Sequence, residues 1–266
     1  MSRKKEKIKK TETPQSESGV VDYSVYVMSG REKVLCILAA GCVLFGIGYI
    51  FYRSVPLSCL FALLALKYPR FRTAQVIRKR KQKLSLQFKD MIYSLSSAIS
   101  AGNSVEHALE LALEDMEVQY GDPNTYIVKE LELITSRVSM NQNVEEVLAD
   151  FGRRSGLEDI KTFAGMFEIA KRTSGNTIDI IRQTSAVITD KIEIENEMET
   201  MLSGKKMEQK VLTAIPILLV YFLTVTTGDF MAPIFTTVGG RCVATVAVVI
   251  IGIGFFWSVK LTDIAI

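Results

Sequence analysis

Met91-Ile-Tyr-Ser-Leu-Ser-Ser-Ala-Ile-Ser-Ala-Gly-Asn-Ser-Val-Glu-His-Ala-Leu109 reads as one helix ending and the next beginning. Ile92, Leu95 and Ile99 keep helical spacing and form one apolar face. Gly102 can close the first helix in the left-handed conformation without a Cβ clash. Asn103 or Ser104 can accept from the free N–H groups of the next helix, and Glu106, three past Asn103, completes a capping box. Val105, Ala108, Leu109, Ala112 and Met116 carry the apolar face onward.

The same pattern returns twice downstream. Asn143-Val-Glu-Glu146 opens a helix whose buried side is Val144, Val147, Leu148 and Phe151. Ser174-Gly-Asn-Thr-Ile-Asp179 repeats the first junction: Gly175 ends one helix, and Asn176 with Asp179 starts another. Between residues 70 and 205 the spacing predicts helices near 70–101, 104–119, 123–138, 143–154, 157–173 and 177–205, joined by short polar connections. Such junctions specify stacked helical hairpins, and no chemistry follows from them directly.

Hydrophobic residues make up 48% of the 266, but they are clustered. Residues 34–52, 211–228 and 242–259 are each long and apolar enough to cross a bilayer, and 54–66 is a shorter apolar run. Eight Lys or Arg and no acid lie between 67 and 83, and six more fall in the first ten residues. Positive flanks stay cytosolic, so the unit 34–66 is expected to be a hairpin with Arg53, Ser54 and Pro56 at its outer tip. Arg53 can snorkel outward and help the short arm reach. Lys205, Lys206 and Lys210 hold the entry to the next span inside, which gives four spans with both termini cytosolic. No signal peptide is expected, because the polar region ahead of the first apolar run is long and no small-residue cleavage site follows it.

The resulting fold class is all-α: a multi-pass membrane protein with a six-helix cytosolic bundle between two pairs of transmembrane helices. Its expected parts are a polar, flexible cytosolic N-terminus at 1–33, a transmembrane hairpin at 34–68 and a basic juxtamembrane helix start at 69–83. The bundle follows at 84–206 and a C-terminal transmembrane pair at 207–266. Arg70, Arg72, Arg78, Lys79, Arg80, Lys81 and Lys83 are expected on anionic lipid headgroups, each worth about 1 kcal/mol near the surface. Beyond them the sign reverses, with 22 acidic against 12 basic residues from 84 to 209. That balance argues against nucleic acid and fits a protein partner with basic patches.

No catalytic constellation is present in the pattern. The single histidine, His107, stands in the first turn of a helix beside Glu106, where a general base would lack a positioned partner and a pocket. Neither a dinucleotide fingerprint nor a phosphate-binding loop occurs, so no cofactor is expected. Cys36, Cys42, Cys59 and Cys242 all fall in apolar runs, which offers no metal site. The middles of the spans hold no ionisable residue, which weighs against transport.

The residues from Ser97 to Leu109 resemble the signature region of the type II secretion system F domain. Asn143-Val-Glu-Glu-Val-Leu-Ala-Asp-Phe-Gly-Arg-Arg154 is similar to its mid-domain helix, and Phe167-Glu-Ile-Ala-Lys-Arg-Thr-Ser-Gly-Asn-Thr-Ile-Asp-Ile-Ile181 to the junction after it. The flanking apolar pairs resemble the TadB type of tight-adherence pilus proteins. One departure is Met140-Asn-Gln-Asn143, where a glycine is common in the family. The resemblance implies a non-catalytic platform in the bacterial inner membrane. Its implied partners are a hexameric secretion ATPase, pilin subunits, and a TadC-like paralogue or further copies of itself. Glu110, Glu114, Glu146 and Arg182 are the exposed positions expected to meet such a partner. A membrane-anchored scaffold or sensor with a different cytosolic partner would share this topology.

Overall fold

The computed structural model describes residues 22–26, 28–172, 177–227, 232–234 and 236–264. Among the described residues the regular structure is helical throughout, with no strand. The helices are α1 (Gly30–Tyr52), α2 (Val55–Leu63) with a 3₁₀ turn at Leu64–Lys67, α3 (Tyr68–Ser100), α4 (Val105–Tyr120) and α5 (Tyr126–Ser139). They continue as α6 (Val144–Ser155), α7 (Glu158–Arg172), α8 (Thr177–Thr226) and α9 (Val238–Ile264). The chain divides into two compact units: Met1–Val27 with Thr73–Ile194, and Met28–Arg72 with Glu195–Ile266.

The first unit has one continuous apolar core. Leu84, Phe88, Met91, Ile92, Leu95 and Ile99 recur at intervals of three and four along α3 and are buried. α4 answers with Ala108, Leu109, Ala112 and Met116, and α5 with Ile127, Val128, Leu131 and Ile134. At the centre the Phe88 ring stands nearly perpendicular to Phe163 at 5.7 Å and meets Phe151 edge-on at 6.3 Å. Edge-to-face geometry of this kind adds about 0.5–1.5 kcal/mol per pair beyond the area buried.

Local chemistry closes the helices. Ser104 is the N-cap of α4, and its hydroxyl accepts from the His107 N–H at 3.3 Å. Asn103 is engaged elsewhere, since its Nδ2 donates to the Ala98 carbonyl at 3.0 Å. The expected box between Asn103 and Glu106 is therefore corrected by one residue: Asn103 finishes α3, and the position three past the true cap is His107. At the end of α5, Asn141 takes the left-handed conformation at φ 63°, filling the role a glycine has elsewhere. Asparagine tolerates that region better than other side chains, which accounts for Met140-Asn-Gln-Asn143 having no glycine.

The sixth helix continues past residue 205 into the next apolar run, as the missing loop between Ile178 and Val211 leads one to expect. α8 runs 50 residues to Thr226, with Pro216 inside it. Pro216 removes one backbone donor, and Thr213 Oγ1 three residues earlier donates to the Gln209 carbonyl at 2.9 Å.

In the second unit α1 and α2 pack together as a hairpin. Arg53 closes α1 in the left-handed region at φ 44°, its N–H donating to the Tyr49 carbonyl at 3.0 Å. Tyr52 Oη donates to Thr245 Oγ1 at 3.0 Å, linking the hairpin to α9. Among the described residues two helices contain stretches long and apolar enough to cross a membrane, α1 and α8, and a shorter apolar stretch lies at Gly239–Gly254. Their large apolar side chains, such as Leu35, Leu38, Leu218, Phe222, Ile250 and Trp257, are exposed. That pattern suits lipid as the solvent and would be an aggregation hazard in water.

Candidate functional site

The junction residues and the interior of the first unit carry its polar chemistry. Gly102 adopts φ 92° and its N–H donates to the Ile99 carbonyl at 3.0 Å. Asn143 caps α6 through its backbone, with the Val147 N–H donating to its carbonyl at 3.1 Å. Its side chain turns to Glu146, Nδ2 donating to Oε1 at 3.3 Å, so this pair interacts side chain to side chain and the expected reciprocal cap is corrected. Gly175 and Asn176 lie outside the described residues, and Asp179 is exposed in the first turn of α8.

An ion-pair network joins α5, α6 and the segment ahead of α1. Glu130 is only 2% exposed, yet it stands on the core face of α5. Arg154 of α6 meets it as a fork, Nη1 donating to Oε1 at 2.9 Å and Nη2 to Oε2 at 2.7 Å. The same guanidinium donates through Nε to Asp150 Oδ2 at 2.9 Å, and Arg137 Nη1 reaches that oxygen at 3.0 Å. Arg153 completes the set on Asp150 Oδ1 at 3.2 Å. Burial pushes the Asp150 carboxyl up, but the hydrogen bonds and charge of Arg154, with Arg137 and Arg153, outweigh it and hold the group below the usual value. Burial works against the Arg154 charge in turn, and Glu130 and then Asp150 overcome it. A fork–fork pair fixes both position and angle, so the network sets how α5 and α6 meet.

Residues 22–26 are bound into this network, which corrects the expectation of a flexible N-terminus through residue 33. Tyr23 is 2% exposed and belongs to the core cluster. Its Oη donates to Glu130 Oε1 at 2.9 Å, and its N–H donates to the Arg154 carbonyl at 3.1 Å. Its ring meets Tyr126 edge-on at 5.6 Å. Tyr23 lies in the short apolar stretch 20–28, too short and too far from the helices in the chain for its pattern to mark what it packs against. Glu130 does leave a signal: with Ile127, Leu131 and Ile134 it completes the i, i+3, i+4, i+7 set of a buried face.

The basic residues expected on lipid headgroups divide. Lys81 Nζ donates to the Gly156 carbonyl at 3.0 Å, the Arg80 guanidinium lies 4.6 Å from the Tyr26 ring centre, and Lys83 Nζ lies 5.8 Å from that of Tyr126. These three are turned onto the helical unit, because α3 from Thr73 onward is part of it. Arg70, Arg72, Arg78 and Lys79 are exposed. Glu106, Glu110 and Glu114 follow one another at four-residue spacing along the exposed face of α4, where Glu110 pairs with His107 Nδ1 at 3.2 Å. Glu146 is exposed on α6 and Arg182 on α8, its Nε donating to Ser100 Oγ at 3.1 Å. The expected partner-binding residues thus occupy three different helices. Among the described residues no cluster of His, Cys, Asp or Glu is placed to hold a metal ion.

No curated protein and no solved structure matches the chain. Residues 91–225, just over half of it, match the family described as type II secretion system (T2SS), protein F. Because the match begins in the buried middle of α3 and ends in the apolar stretch of α8, it takes in the helical core and a membrane-length helix together, and the chain belongs to the type II secretion system protein F family.

Proposed function

We propose that this protein is a TadB-like platform of a type IV-like (Flp/Tad) pilus machine, coupling a cytosolic secretion ATPase to pilin assembly or export. Membership of the family carries the general part of that reading, since its members are inner-membrane platform proteins of secretion and pilus machines and not enzymes. In the proposed topology the hairpin at 34–68 and the pair at 207–266 both span the membrane, both termini are cytosolic, and the bundle at 84–206 lies between them. The exposed acids Glu110, Glu114 and Glu146 with Arg182 are the proposed ATPase-facing side chains, and Arg70, Arg72, Arg78 and Lys79 the proposed lipid contacts. A TadC-like paralogue or a second copy completes the platform.

The single observation that carries coupling is the length of α8, from the core contacts of Ile181 and Ile188 to the apolar stretch ending at Thr226 without a break. An uninterrupted helix is stiff on this scale, so displacement at one end reaches the other. In-cell photo-crosslinking from positions 110, 146 and 182, with captured proteins identified by mass spectrometry, tests the reading. Recovery of a hexameric secretion ATPase is the expected result. Recovery of only unrelated cytosolic proteins, in cells that contain that ATPase, points instead to a membrane-anchored scaffold or sensor.

A further inference from the structure

The family match begins at residue 91, yet the core of the helical unit takes in a tyrosine 68 residues earlier. Residues 22–26 are held at four points. Tyr23 Oη donates to buried Glu130 and its N–H to the Arg154 carbonyl, at 2.9 and 3.1 Å. The Tyr23 ring packs on Tyr126, and the Tyr26 ring lies under Arg80. The segment is shaped for this by its own chemistry, since the Ser24 N–H donates to Asp22 Oδ1 at 2.8 Å and folds the chain into a tight turn. Opposite it, Gly156 ends α6 at φ 60°, and a Cβ there would run into Ser24 Oγ and Lys81 Nζ. The groove thus favours glycine for its backbone angle, and a methyl there would have to push aside the ends of the Ser24 and Lys81 side chains.

We propose that residues 22–26 are a latch, keyed by Tyr23 into the Glu130–Arg154 pair, which ties the chain leading into the first membrane helix to the helical unit. Tyr26 and Gly30, where α1 begins, are four residues apart in the chain, so tension on α1 reaches the latch through the backbone. Release uncovers the Tyr126 ring and leaves the Glu130 carboxylate with Arg154 as its charged partner, two states separated by a handful of contacts. The latch ties the chain on the N-terminal side of the hairpin to the unit, in addition to the continuous helix α3 on its C-terminal side. Its role in passing motion rests on the platform reading; its docking does not.

Hydrogen exchange read by mass spectrometry on the full chain in nanodiscs, without ATPase or pilin, tests the docking. In the wild type the amides of residues 22–26 should be protected. Tyr23→Phe, which keeps the ring but loses the bond to Glu130, and Gly156→Ala, which drives a methyl into Ser24 and Lys81, should each speed their exchange about tenfold. Residues 105–116 of α4 should exchange as in the wild type. Unprotected amides at 22–26 in the wild type, or both variants exchanging like the wild type, would overturn the latch. Acceleration of α4 along with the strap would overturn it too, by making the strap a fixed part of the core. Failure to capture an ATPase in the crosslinking experiment would sink the platform reading and leave these outcomes untouched.

Discussion

Glu130 is a carboxylate where α5 otherwise presents apolar side chains to the core, and its partners decide what a substitution does. Glu130→Ala takes the forked partner from the Arg154 guanidinium, whose side chain is 11% exposed, and leaves Asp150 on its Nε. Breaking such a pair from one side costs up to about 3–5 kcal/mol. Glu130→Leu with Arg154→Leu together should cost well under the sum of the two single changes, because no uncompensated charge remains. Urea unfolding of the full chain in micelles measures both, and additive losses would show that the pair is not coupled. Tyr23 adds a dependence on alkaline pH. Burial first, then the Glu130 charge and its hydrogen bond, raise the Tyr23 pKa well above its ordinary 10.0. The folded state therefore keeps a proton that the unfolded chain gives up, so this contribution is whole below pH 10.0 and is lost as pH rises beyond it. Burial and the hydrogen bond from Tyr120 to Asp90 at 2.5 Å act in the same direction on Tyr120. Stability followed between about pH 9 and about pH 11 should fall less steeply in Tyr23→Phe than in the wild type, and parallel curves would show that Tyr23 is not buried. At this scale the sequence announces a residue only when it breaks a pattern. Glu130 breaks one, on an apolar face; Tyr23 stands in no pattern and is found only by the contacts it makes.

At the scale of elements, helical periodicity is legible because each helix buries one stripe in a single shared core, so the spacing of its apolar residues is imposed by packing. Ends are less legible, since several neighbouring polar residues can cap and only geometry selects one. At the α3–α4 turn Asn103 and Ser104 compete, and the Asn103 amide is drawn back to the Ala98 carbonyl, which leaves Ser104 as the cap. The far end of α8 is harder still. Gly204, Lys205 and Lys206 offer no firm stop, because lysine is a good helix former and one glycine costs only about 1 kcal/mol inside a helix. The helix continues through them, and Lys205 pairs with Glu208 at 3.1 Å one turn on. If α8 transmits motion, a flexible Gly-Ser insertion beside Ser203 should abolish pilus assembly or secretion while leaving ATPase capture intact. Wild-type assembly from that variant would remove α8 as the coupling element. The continuous helix α3 and the latch would then be the remaining connections, and combining the insertion with Tyr23→Phe tests the share of the latch.

For the whole molecule, the distribution of charge is what the proposed arrangement in the membrane rests on. The basic run at 67–83 and the basic first ten residues lie on either side of α1 and α2, and the acidic stretch at 84–209 follows. All of this is readable from the sequence, as are the helical class and the apolar runs. What composition cannot show is that the helical unit recruits residues 22–26 from ahead of α1 and α2, because contacts between residues so far apart in the chain leave no periodic trace. The reach of the second arm is the demanding part of the topology. α2 and the 3₁₀ turn together span residues 55–67, which at about 1.5 and 2.0 Å rise per residue is roughly 22 Å against a hydrocarbon core of about 30 Å. Two features answer the shortfall. Arg53 at the tip can extend its guanidinium to the outer headgroups, and the helix continues into α3, whose exposed Phe71 and Tyr68 extend the apolar surface toward the basic flank. If the hairpin crosses, a cysteine placed at Ser54 in a variant lacking the four native cysteines should react with an impermeant maleimide added to intact spheroplasts. Cysteines at Ser2 and Ser203 should react only after permeabilisation. Labelling at Ser54 only after permeabilisation would make α2 a re-entrant or interfacial segment. In that case α1 would not cross either: the tip would stay on the inner side, and the hairpin would enter and leave there. The basic run at 67–83 and the basic N-terminus would still share one side, as the tie between Tyr23 and Glu130 requires. Labelling at the tip therefore tests how deep the hairpin reaches, while the docking of the N-terminal segment is tested by its hydrogen exchange.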